Sequence, residues 1–599
     1  MCRIFGYIGH NHYDTETLKK VSQLQLHGGP DQQSFVQKAN WALGNNRLAI
    51  QGIEGGKQPF ALGDQIYAVL NGEIYNHREL AAELTKKGYT FADECDGTIL
   101  PALYREHGEN FVRYLDGMFA IGLIDCRGEK PELILASDPA GIKSIYYQYD
   151  SVHRTLKFAS EIPALLGFGD IKSELRPEAI DEYFTSRAIL GQKTIYKNIM
   201  TLPPATLLKV KNFRAPQLTP YDSALKAPFE DLDLINAGAK FNNLLEDEMS
   251  RIMDADVPIC VLTSGGLDSS YLTALASQFN SDLHSFNVWY KGNWPSDERH
   301  YAEEVSKMYG TTHHQVEVDP LEFPSIIKKM VKHLGQPNSA PHCLSTYALY
   351  QAVHEAGFKA AVVGEGADDF FGGYDRFVSA VHDPSEGWLD SYLNDLSAVK
   401  KSIRSSIYHD DYSAHLRSQD IGQHDFIKND ILRRALNGNN RLESLLTFEQ
   451  SERLPYYIFR RVDHLSMAHA VEVRVPFCQP KIMSIAHQIN SDLKVKAEKG
   501  KRIIYQAAVS KLPHSVLNRP KQPFTLPITA MLQRGNLLFD FVYETLKDSH
   551  FSLKPIFNVS AIDALLDQQL KAPDQATANT LWSLLILELW TKENNERFA

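Results

Sequence analysis

The chain carries a potential nucleophile at its start, because Cys2 directly follows Met1. Removal of Met1 would leave Cys2 with a free α-amine, whose pKa of about 7.7–8.0 allows it to take the thiol proton. This is the arrangement of an N-terminal nucleophile, which needs no distant histidine. A cysteine at the second position can also be incidental, so the assignment depends on residues further along the chain.

A glycine-rich loop in the middle of the chain is suited to an anion. The apolar stretch 257–263 runs into Ser-Gly-Gly-Leu-Asp-Ser at 264–269 and then into a helical pattern. The glycines allow a tight turn with bare N–H groups, and a helix start adds partial positive charge. It is not a Walker loop, because no lysine follows the glycines. The alternative is an ordinary strand–turn–helix with a serine cap.

Acidic residues follow two of the predicted strands. Asp268 lies in the glycine-rich loop, where it would repel phosphate unless a cation lies between them. The apolar residues 360–363 end in Gly-Glu-Gly-Ala-Asp-Asp at 364–369. Ligands gather outside the carboxyl ends of parallel strands, so both turns would lie on one edge of the sheet. Asp268 and Asp368 could then share one Mg²⁺ ion; a solvated acidic loop is the alternative.

The apolar pattern divides the chain into two halves that would position these groups. The first predicts an α+β unit with antiparallel sheet: a run at 66–70 is closed by an Asn-Gly turn signal at 71–72, and 77–87 forms an amphipathic helix. Residues 210–233 contain scattered prolines and no periodicity, and they are predicted to form a linker. The predicted domains are therefore 1–209 and 234–599.

In the second half, strand-like and helical stretches alternate, which predicts a parallel sheet with crossover helices. The tail from about residue 383 has a mostly helical pattern. The predicted strands are 257–263, 283–289, 314–318 and 360–363, and the predicted helices are 268–279, 300–309 and 344–355.

Composition excludes several functional classes. The 599 residues are 43% hydrophobic and 23% charged, as in globular proteins, and the net charge of −11 argues against a nucleic-acid partner. No apolar run approaches the ~18 residues that span a membrane, and no signal segment is present at the start. The six cysteines are scattered without a CxxC pair, so neither a zinc site nor a disulfide framework is indicated and a cytoplasmic location is expected.

Several motifs together resemble one family, the glutamine-hydrolysing asparagine synthetases. They follow in the family's order at 264–269, 364–368, 371–374, 466–469, 472–477 and 519–522. The resemblance covers nearly the whole chain. It implies an α+β N-terminal nucleophile hydrolase domain, with antiparallel sheets sandwiched by helices. An α/β ATP pyrophosphatase domain with a helical C-terminal part would follow it. It also implies a homodimer.

The implied reaction is glutamine-dependent amidation of a carboxylate through an acyl-adenylate, with aspartate as the expected acceptor and ATP split to AMP and pyrophosphate. The resemblance places a glutamine pocket around Cys2, in which Arg47 would grip the α-carboxylate. The side chain of Asn71 and the N–H of Gly72 would form the oxyanion hole. The remaining implied glutamine-binding residues are Leu48, Glu73 and Asp96.

The resemblance also implies the residues of the synthetase site. Lys501 would lie over the α-phosphate, and Glu365 would assist adenylate formation and deprotonate the attacking ammonia. An exposed lysine and a solvated loop carboxylate are the alternatives for these two. Asp268 and Asp368 would hold Mg²⁺. The implied ATP-binding residues are Leu262, Ser264, Gly265, Gly266, Asp268, Ser269, Val288, Val363 and Gly364.

The chain departs from the family pattern in both halves. Arg3 stands where glycine is common after the cysteine, and Gly28 stands where the family has arginine. In the second half, glycine and glutamine at 335–336 replace an acidic pair, and Gln479 and Tyr505 replace an aspartate and an arginine. These changes, unless they are drift of surface loops, leave open a tailoring amidotransferase that acts on a different carboxylic acid. A third alternative is a glutaminase or regulatory protein with an inactive synthetase half.

Overall fold

The structure, a computed structural model, describes residues 2–221, 229–295, 297–418, 422–436, 440–519, 526–547 and 551–594. Part of the predicted linker, 222–228, and residues 520–522 of one family motif lie outside the described residues. Within those ranges, no helix is both long and apolar enough to cross a membrane.

Two six-stranded antiparallel sheets form the first half, with strand orders β10-β8-β9-β1-β3-β2 and β12-β11-β7-β6-β5-β4. The strands are β1 (Cys2–Ile8), β2 (Gln32–Lys38), β3 (Trp41–Arg47), β4 (Phe60–Leu62), β5 (Ile66–Ile74), β6 (Gly117–Asp125), β7 (Glu132–Ser137), β8 (Tyr146–Asp150), β9 (Thr155–Ala159), β10 (Met200–Thr201), β11 (Thr206–Val210) and β12 (Gln217–Pro220). The α-helices of this half are α1 (Thr15–Leu24), α2 (His77–Lys86), α3 (Leu100–His107), α4 (Ile162–Leu166) and α5 (Ala179–Ser186).

Alternation along β1 explains the layered packing. Ile4 and Ile8 lie in the apolar core between the two sheets, whereas Phe5 and Tyr7 pack with helix residues on the outer face. Successive side chains of a strand point to opposite faces, so one strand can serve both layers. The result is a helix–sheet–sheet–helix sandwich, and it confirms the fold class predicted for the first half.

Two local predictions for the first half were wrong. The Asn-Gly pair at 71–72 does not form a turn, because β5 continues through it, with Gly72 opposite Phe119 of β6. A Cβ atom on Gly72 would lie 2.0 Å from the carbonyl oxygen of Met118, so this glycine permits a close approach of two strands. Residues 217–220 of the predicted linker form the edge strand β12, paired with β11, a position where proline is tolerated.

A five-stranded parallel sheet forms the centre of the second half, as the alternating pattern predicted. Its strands are β13 (Ile259–Leu262), β14 (His284–Tyr290), β15 (Thr312–Val318), β16 (Ala360–Val362) and β17 (Glu472–Arg474), in the order β15-β14-β13-β16-β17. The order reverses between β13 and β16, and ligands bind at such a point in open α/β sheets. The short strand β17 was not predicted, because it has only three residues and they carry two charges.

Helices cover this sheet and form the tail. They are α6 (Leu234–Ile252), α7 (Leu267–Ala276), α8 (Arg299–Tyr309), α9 (Phe323–His333), α10 (Cys343–Glu355), α11 (Ala367–Phe371), α12 (Asp375–His382), α13 (Trp388–Leu396), α14 (Lys401–Ile407), α15 (Asp410–Arg417), α16 (Gln423–Leu436), α17 (Arg441–Phe448), α18 (Arg460–Met467), α19 (Pro480–Gln488), α20 (Ser491–Lys494), α21 (Arg502–Ala508), α22 (His514–Asn518), α23 (Ile528–Met531), α24 (Leu537–Lys547), α25 (Val559–Lys571) and α26 (Gln575–Glu593). A π-helical segment, Glu449–Phe459, joins α17 to α18.

Candidate active sites

The thiol of Cys2 is buried at the start of β1, among the residues predicted to form a glutamine pocket. Only 4% of the residue is exposed, and its Sγ accepts a hydrogen bond of 3.3 Å from Nε2 of Gln58. Burial raises the pKa of the Cys2 thiol, while a backbone hydrogen bond from Leu48 acts in the opposite direction. Gln58 was missed by the sequence analysis, since a single glutamine outside any motif gives no signal.

Asn71 presents a hydrogen-bond donor beside this thiol. Its Oδ1 accepts a bond of 3.3 Å from the backbone N–H of Cys2, and among the described residues its buried Nδ2 has no partner. Leaving such a group unsatisfied costs about 1–3 kcal/mol. If the thiol attacked a carbonyl group, the oxygen of that group would become negatively charged and could accept a hydrogen bond from Nδ2. A donor placed beside the nucleophile in this way is typical of an oxyanion hole.

The predicted glutamine-binding charges lie around the same pocket. Arg47 is opposite Cys2 in the β1–β3 pairing, but its terminal nitrogens already donate to the carbonyls of Gly55 and Gly52, both at 2.7 Å. The side chain therefore also holds the 51–55 loop in place.

Two buried acids complete this pocket. Asp96 accepts a bond of 2.8 Å from the backbone N–H of Ile74, and Glu73 lies 3.7 Å from the Arg474 guanidinium of β17. Burial raises the pKa of both carboxyls, and for Glu73 the nearby Glu472 carboxylate adds to this effect. A cationic group that entered the pocket would be stabilised by them. The contact with Arg474 also brings the second half of the chain to this site.

The second site lies where β13 and β16 end, at the reversal of strand order. The backbone at Gly265 has a φ of +72°, and a Cβ atom there would lie 2.5 Å from Cβ of Tyr301. Only glycine therefore fits between the loop and α8. The hydroxyl of Ser269, in the first turn of α7, accepts a bond of 3.0 Å from the N–H of Ser264, which holds the loop closed over the helix start.

Lys501 joins the two acidic turns. Its Nζ forms ion pairs with Asp268 and, at 2.7 Å, with Oδ1 of Asp368. Burial alone would lower the pKa of Lys501, but the two carboxylates outweigh it and raise the pKa. A Cβ atom on Gly373 would lie 1.9 Å from Cε of Lys501, so this glycine is required for the lysine to reach the acids. Gly373 belongs to the motif at 371–374, which by itself predicts no role for this glycine.

A cavity of about 200 Å³ lies beside this cluster. Eight of the nine residues predicted to bind ATP line it, and Gly265 is the exception. Glu365 and His342 border both this cavity and a larger cleft that contains Lys501 and Asp368. Glu365 lies 3.3 Å from a terminal nitrogen of Arg461. The residues predicted for the nucleotide thus surround one cavity, and Glu365 lies where it joins the cleft.

The family departures in the second half do not all lie in that cleft. Tyr505 lines it, but the side chain of Gln336 accepts a bond of 3.2 Å from the backbone N–H of Ile195. Gln479 is also buried, and its Nε2 donates to the carbonyl of Val475 at 3.1 Å. The side chains of Gln336 and Gln479 thus bond to backbone groups and are not among the residues that line the cleft.

The two departures from the family pattern in the first half, Arg3 and Gly28, are sterically complementary. Arg3 is fully buried, with its Nε 2.7 Å from Glu161 and its Nη1 2.7 Å from Asp463 of α18. A Cβ atom on Gly28 would lie 2.8 Å from Cγ and from Nε of Arg3, so the missing side chain at 28 leaves room for this one. Lys143 also pairs with Asp463, at 3.2 Å. A buried charge cluster therefore connects the residue after the thiol to the second half of the chain.

Replacing Arg3 with methionine should lower the free energy of unfolding by about 3–5 kcal/mol, because Glu161 and Asp463 would stay buried without this partner. The midpoint of urea-induced unfolding measures the loss. The double variant Arg3→Gly with Gly28→Arg should recover part of it, since the arginine would return from the other side of the same space. An unchanged midpoint in the single variant would show that the cluster contributes nothing to stability.

Comparison with known proteins relates both halves of the chain to known families. Residues 240–592 match the family model described as asparagine synthase, and residues 1–221 match that of a glutamine amidotransferase domain. Asparagine synthetase [glutamine-hydrolyzing] 1 of Bacillus subtilis is 27% identical over 613 residues, which cover 97% of this chain and 94% of that protein. Asparagine synthetase B [glutamine-hydrolyzing] of Escherichia coli is 27% identical over 552 residues, which cover 88% of this chain and 82% of that protein.

Proposed function

The chain belongs to the asparagine synthase family, and on that premise we propose that it converts aspartate into asparagine with nitrogen from glutamine. ATP would be split to AMP and pyrophosphate through an acyl-adenylate. The observation that carries the proposal is that one chain holds a buried thiol beside an unsatisfied amide donor and a Lys501 ammonium between two acidic turns.

We assign the two steps to the two halves of the chain. Residues 1–209, with the edge strand 217–220, would hydrolyse glutamine. Residues 234–599 would activate and amidate the acceptor. The remainder of 210–233 would connect them. This division follows the sheets, because the antiparallel strands end at residue 220 and α6 begins at residue 234.

Glutamine hydrolysis would begin with Cys2 after removal of Met1. The thiol would pass its proton to the α-amine and attack the side-chain amide of glutamine. The resulting oxyanion would accept hydrogen bonds from Nδ2 of Asn71 and the N–H of Gly72. Arg47 would bind the α-carboxylate through the N–H groups that the loop carbonyls leave, and Leu48 would line the pocket. Glu73 and Asp96 would face the α-ammonium.

Activation of the acceptor would occur at the reversal of strand order. Adenine would lie in the 200 Å³ cavity against Leu262, Val288 and Val363, with the phosphates over the loop at 264–269. Lys501 would stabilise the charge that develops on the α-phosphate. Glu365, at the junction with the cleft, would accept a proton from the attacking ammonia.

Magnesium fits the donor set of this site. Asp268 and Asp368 both contact Lys501, so their oxygens lie close together. Among the described residues no group of three His, Cys, Asp or Glu side chains could hold a metal. Two carboxylates with phosphate oxygens from the substrate form a usual Mg²⁺ site. When bound, Mg²⁺ would neutralise phosphate charge as pyrophosphate leaves.

An isotope experiment tests the proposal. The enzyme is incubated with ATP, Mg²⁺, aspartate and glutamine labelled with ¹⁵N in the side-chain amide. We expect ¹⁵N-labelled asparagine and AMP in equal amounts, with none formed when aspartate is left out. If AMP appeared only with another carboxylic acid, the chain would be a tailoring amidotransferase instead. If glutamate formed but AMP never did, the synthetase half would be inactive.

A further inference from the structure

The part of the cleft next to Glu365 is lined by basic residues from both halves of the chain. Arg187, Arg461 and His342 border it, together with Tyr457. Arg461 lies on α18, whereas Arg187 directly follows α5 of the first half. If ATP occupies the neighbouring cavity, as the proposed function requires, this is where the rest of the acceptor molecule would extend.

The backbone of Arg187 adopts an unfavourable conformation. Its φ is +67°, a left-handed conformation that is unfavourable for a residue with a side chain. Its carbonyl accepts a bond of 2.9 Å from the N–H of Ser339, and its Nε donates to the carbonyl of Leu396 at 3.1 Å. Contacts with two other segments therefore fix an arginine that local preferences alone would not place there.

The charge of Arg187 is not neutralised within the described residues, where it forms no ion pair with a carboxylate. The adjacent Arg453 differs, because its Nε contacts Glu449 at 2.9 Å. Burial lowers the pKa of Arg187, and the neighbouring cations Arg453 and Arg376 lower it further, whereas Tyr457 acts in the opposite direction. A partly desolvated guanidinium without a counter-ion favours the binding of an anion.

Arg461 offers a second cation to the same space. Its side chain is buried, and its Nε has no hydrogen-bond partner among the described residues. One terminal nitrogen contacts Glu365 at 3.3 Å, and among the described residues that carboxylate forms no ion pair with Arg187. Arg187, Arg461 and His342 line the same cleft, and burial together with the charges of Arg461 and Arg187 lowers the pKa of His342 well below its usual value, which keeps that imidazole neutral.

We propose that Arg187 and Arg461 bind the carboxylate of the acceptor that does not react, so that the enzyme selects acids with two carboxylates. The reacting carboxylate would then lie beside Glu365 at the mouth of the nucleotide cavity. This assignment rests on the proposed function and deepens it, because it names the residues that recognise the acceptor. It also explains how a chain with Tyr505 in place of the family's arginine can bind an acidic substrate.

The test compares aspartate with β-alanine, which lacks only the carboxylate that Arg187 would bind. Ammonium chloride supplies nitrogen, so glutamine hydrolysis does not limit the rate, and AMP release is followed at varied acceptor. Arg187→Met removes the charge and keeps most of the volume, whereas Arg187→Lys keeps the charge. The matched control is Arg502→Met, because Arg502 lines the same cleft but donates to the carbonyl of Asp492.

We expect Arg187→Met to raise the KM for aspartate about tenfold to a few hundredfold, with partial recovery in Arg187→Lys. The KM for β-alanine should stay within about twofold of the parent value, and Arg502→Met should change neither. Direct titration of aspartate into parent and variant gives the same comparison as Kd values where β-alanine is turned over too slowly.

An equal loss with both acceptors, or an unchanged KM for aspartate, would overturn the assignment. If the parent enzyme released AMP only with another acid, the proposed aspartate activity would be wrong. The same variants would then be compared on that acid and on its analogue without the second carboxylate. An acceptor with a single carboxylate would also overturn the assignment.

Discussion

Replacing Cys2 with alanine should reduce glutamine hydrolysis by at least about 10³-fold, because the proposed covalent intermediate forms on the Cys2 thiol. Asn71 and Gly72 would still bind an oxyanion, but nothing would attack the amide. Glutamate release from glutamine measures this loss. Amidation with ammonium chloride should continue near the parent rate, since the nucleotide cavity and Lys501 belong to the other half of the chain.

Cys126→Ala is the matched control, since Cys126 belongs to the same half but is partly exposed and lies outside the pocket. It should hydrolyse glutamine at the parent rate. Hydrolysis that persists in the Cys2 variant would place the nucleophile elsewhere. Loss of ammonium-dependent activity as well would show that the two sites cannot be separated in this way.

Converting either Asp268 or Asp368 to asparagine should reduce Mg²⁺-dependent pyrophosphate release about 10²- to 10³-fold. Each change removes one negative charge from the pair that contacts Lys501 and keeps the size of the side chain. Several kcal/mol of charge stabilisation in the transition state would be lost with the metal ligand. Release of pyrophosphate over a range of Mg²⁺ concentrations measures the effect, and the variants should need more Mg²⁺ for half-maximal rate.

Asp375→Asn is the control for this pair, because Asp375 is exposed and lines the same cleft without contacting Lys501. It should release pyrophosphate normally. Glutamine hydrolysis in all three variants reports whether the first half is still folded. A variant at 268 or 368 that kept the parent rate would exclude that residue from the metal site.

The sequence predicted those parts of the fold that depend on neighbours along the chain. The turns after β13 and β16 were evident, because each follows a short apolar strand and the parallel sheet places both on one edge. Gly265 and the adjacent acids could be identified for the same reason. The family and the fold class are confirmed, while the roles of the individual residues stay predictions.

What the sequence did not predict depends on contacts between distant segments. Gly72 belongs to a strand only because β6 lies against it, and a local Asn-Gly signal cannot show this. Arg187 ends a helix in the first half and contributes to the cleft of the second, so no motif contains it together with Arg461. The steric fit between Arg3 and Gly28 likewise could not be predicted, because it depends on the distance in space between two segments that are 25 residues apart in the sequence.

Helix α18 contacts residues at both candidate sites. Asp463 contacts Arg3 beside the thiol, and Arg461, two positions earlier on the same helix, contacts Glu365 at the nucleotide cavity. Because a helix moves as a rigid body, a displacement of Asp463 would also displace Arg461. Cutting the chain between its halves would leave Arg3 and Lys143 on one fragment without Asp463, although Arg3 would keep Glu161. Asp463, on the other fragment, would lose both of these cations. The two halves are therefore not expected to keep their structure when they are separated. An exchange of the first half for that of a relative would have to include α18 as well.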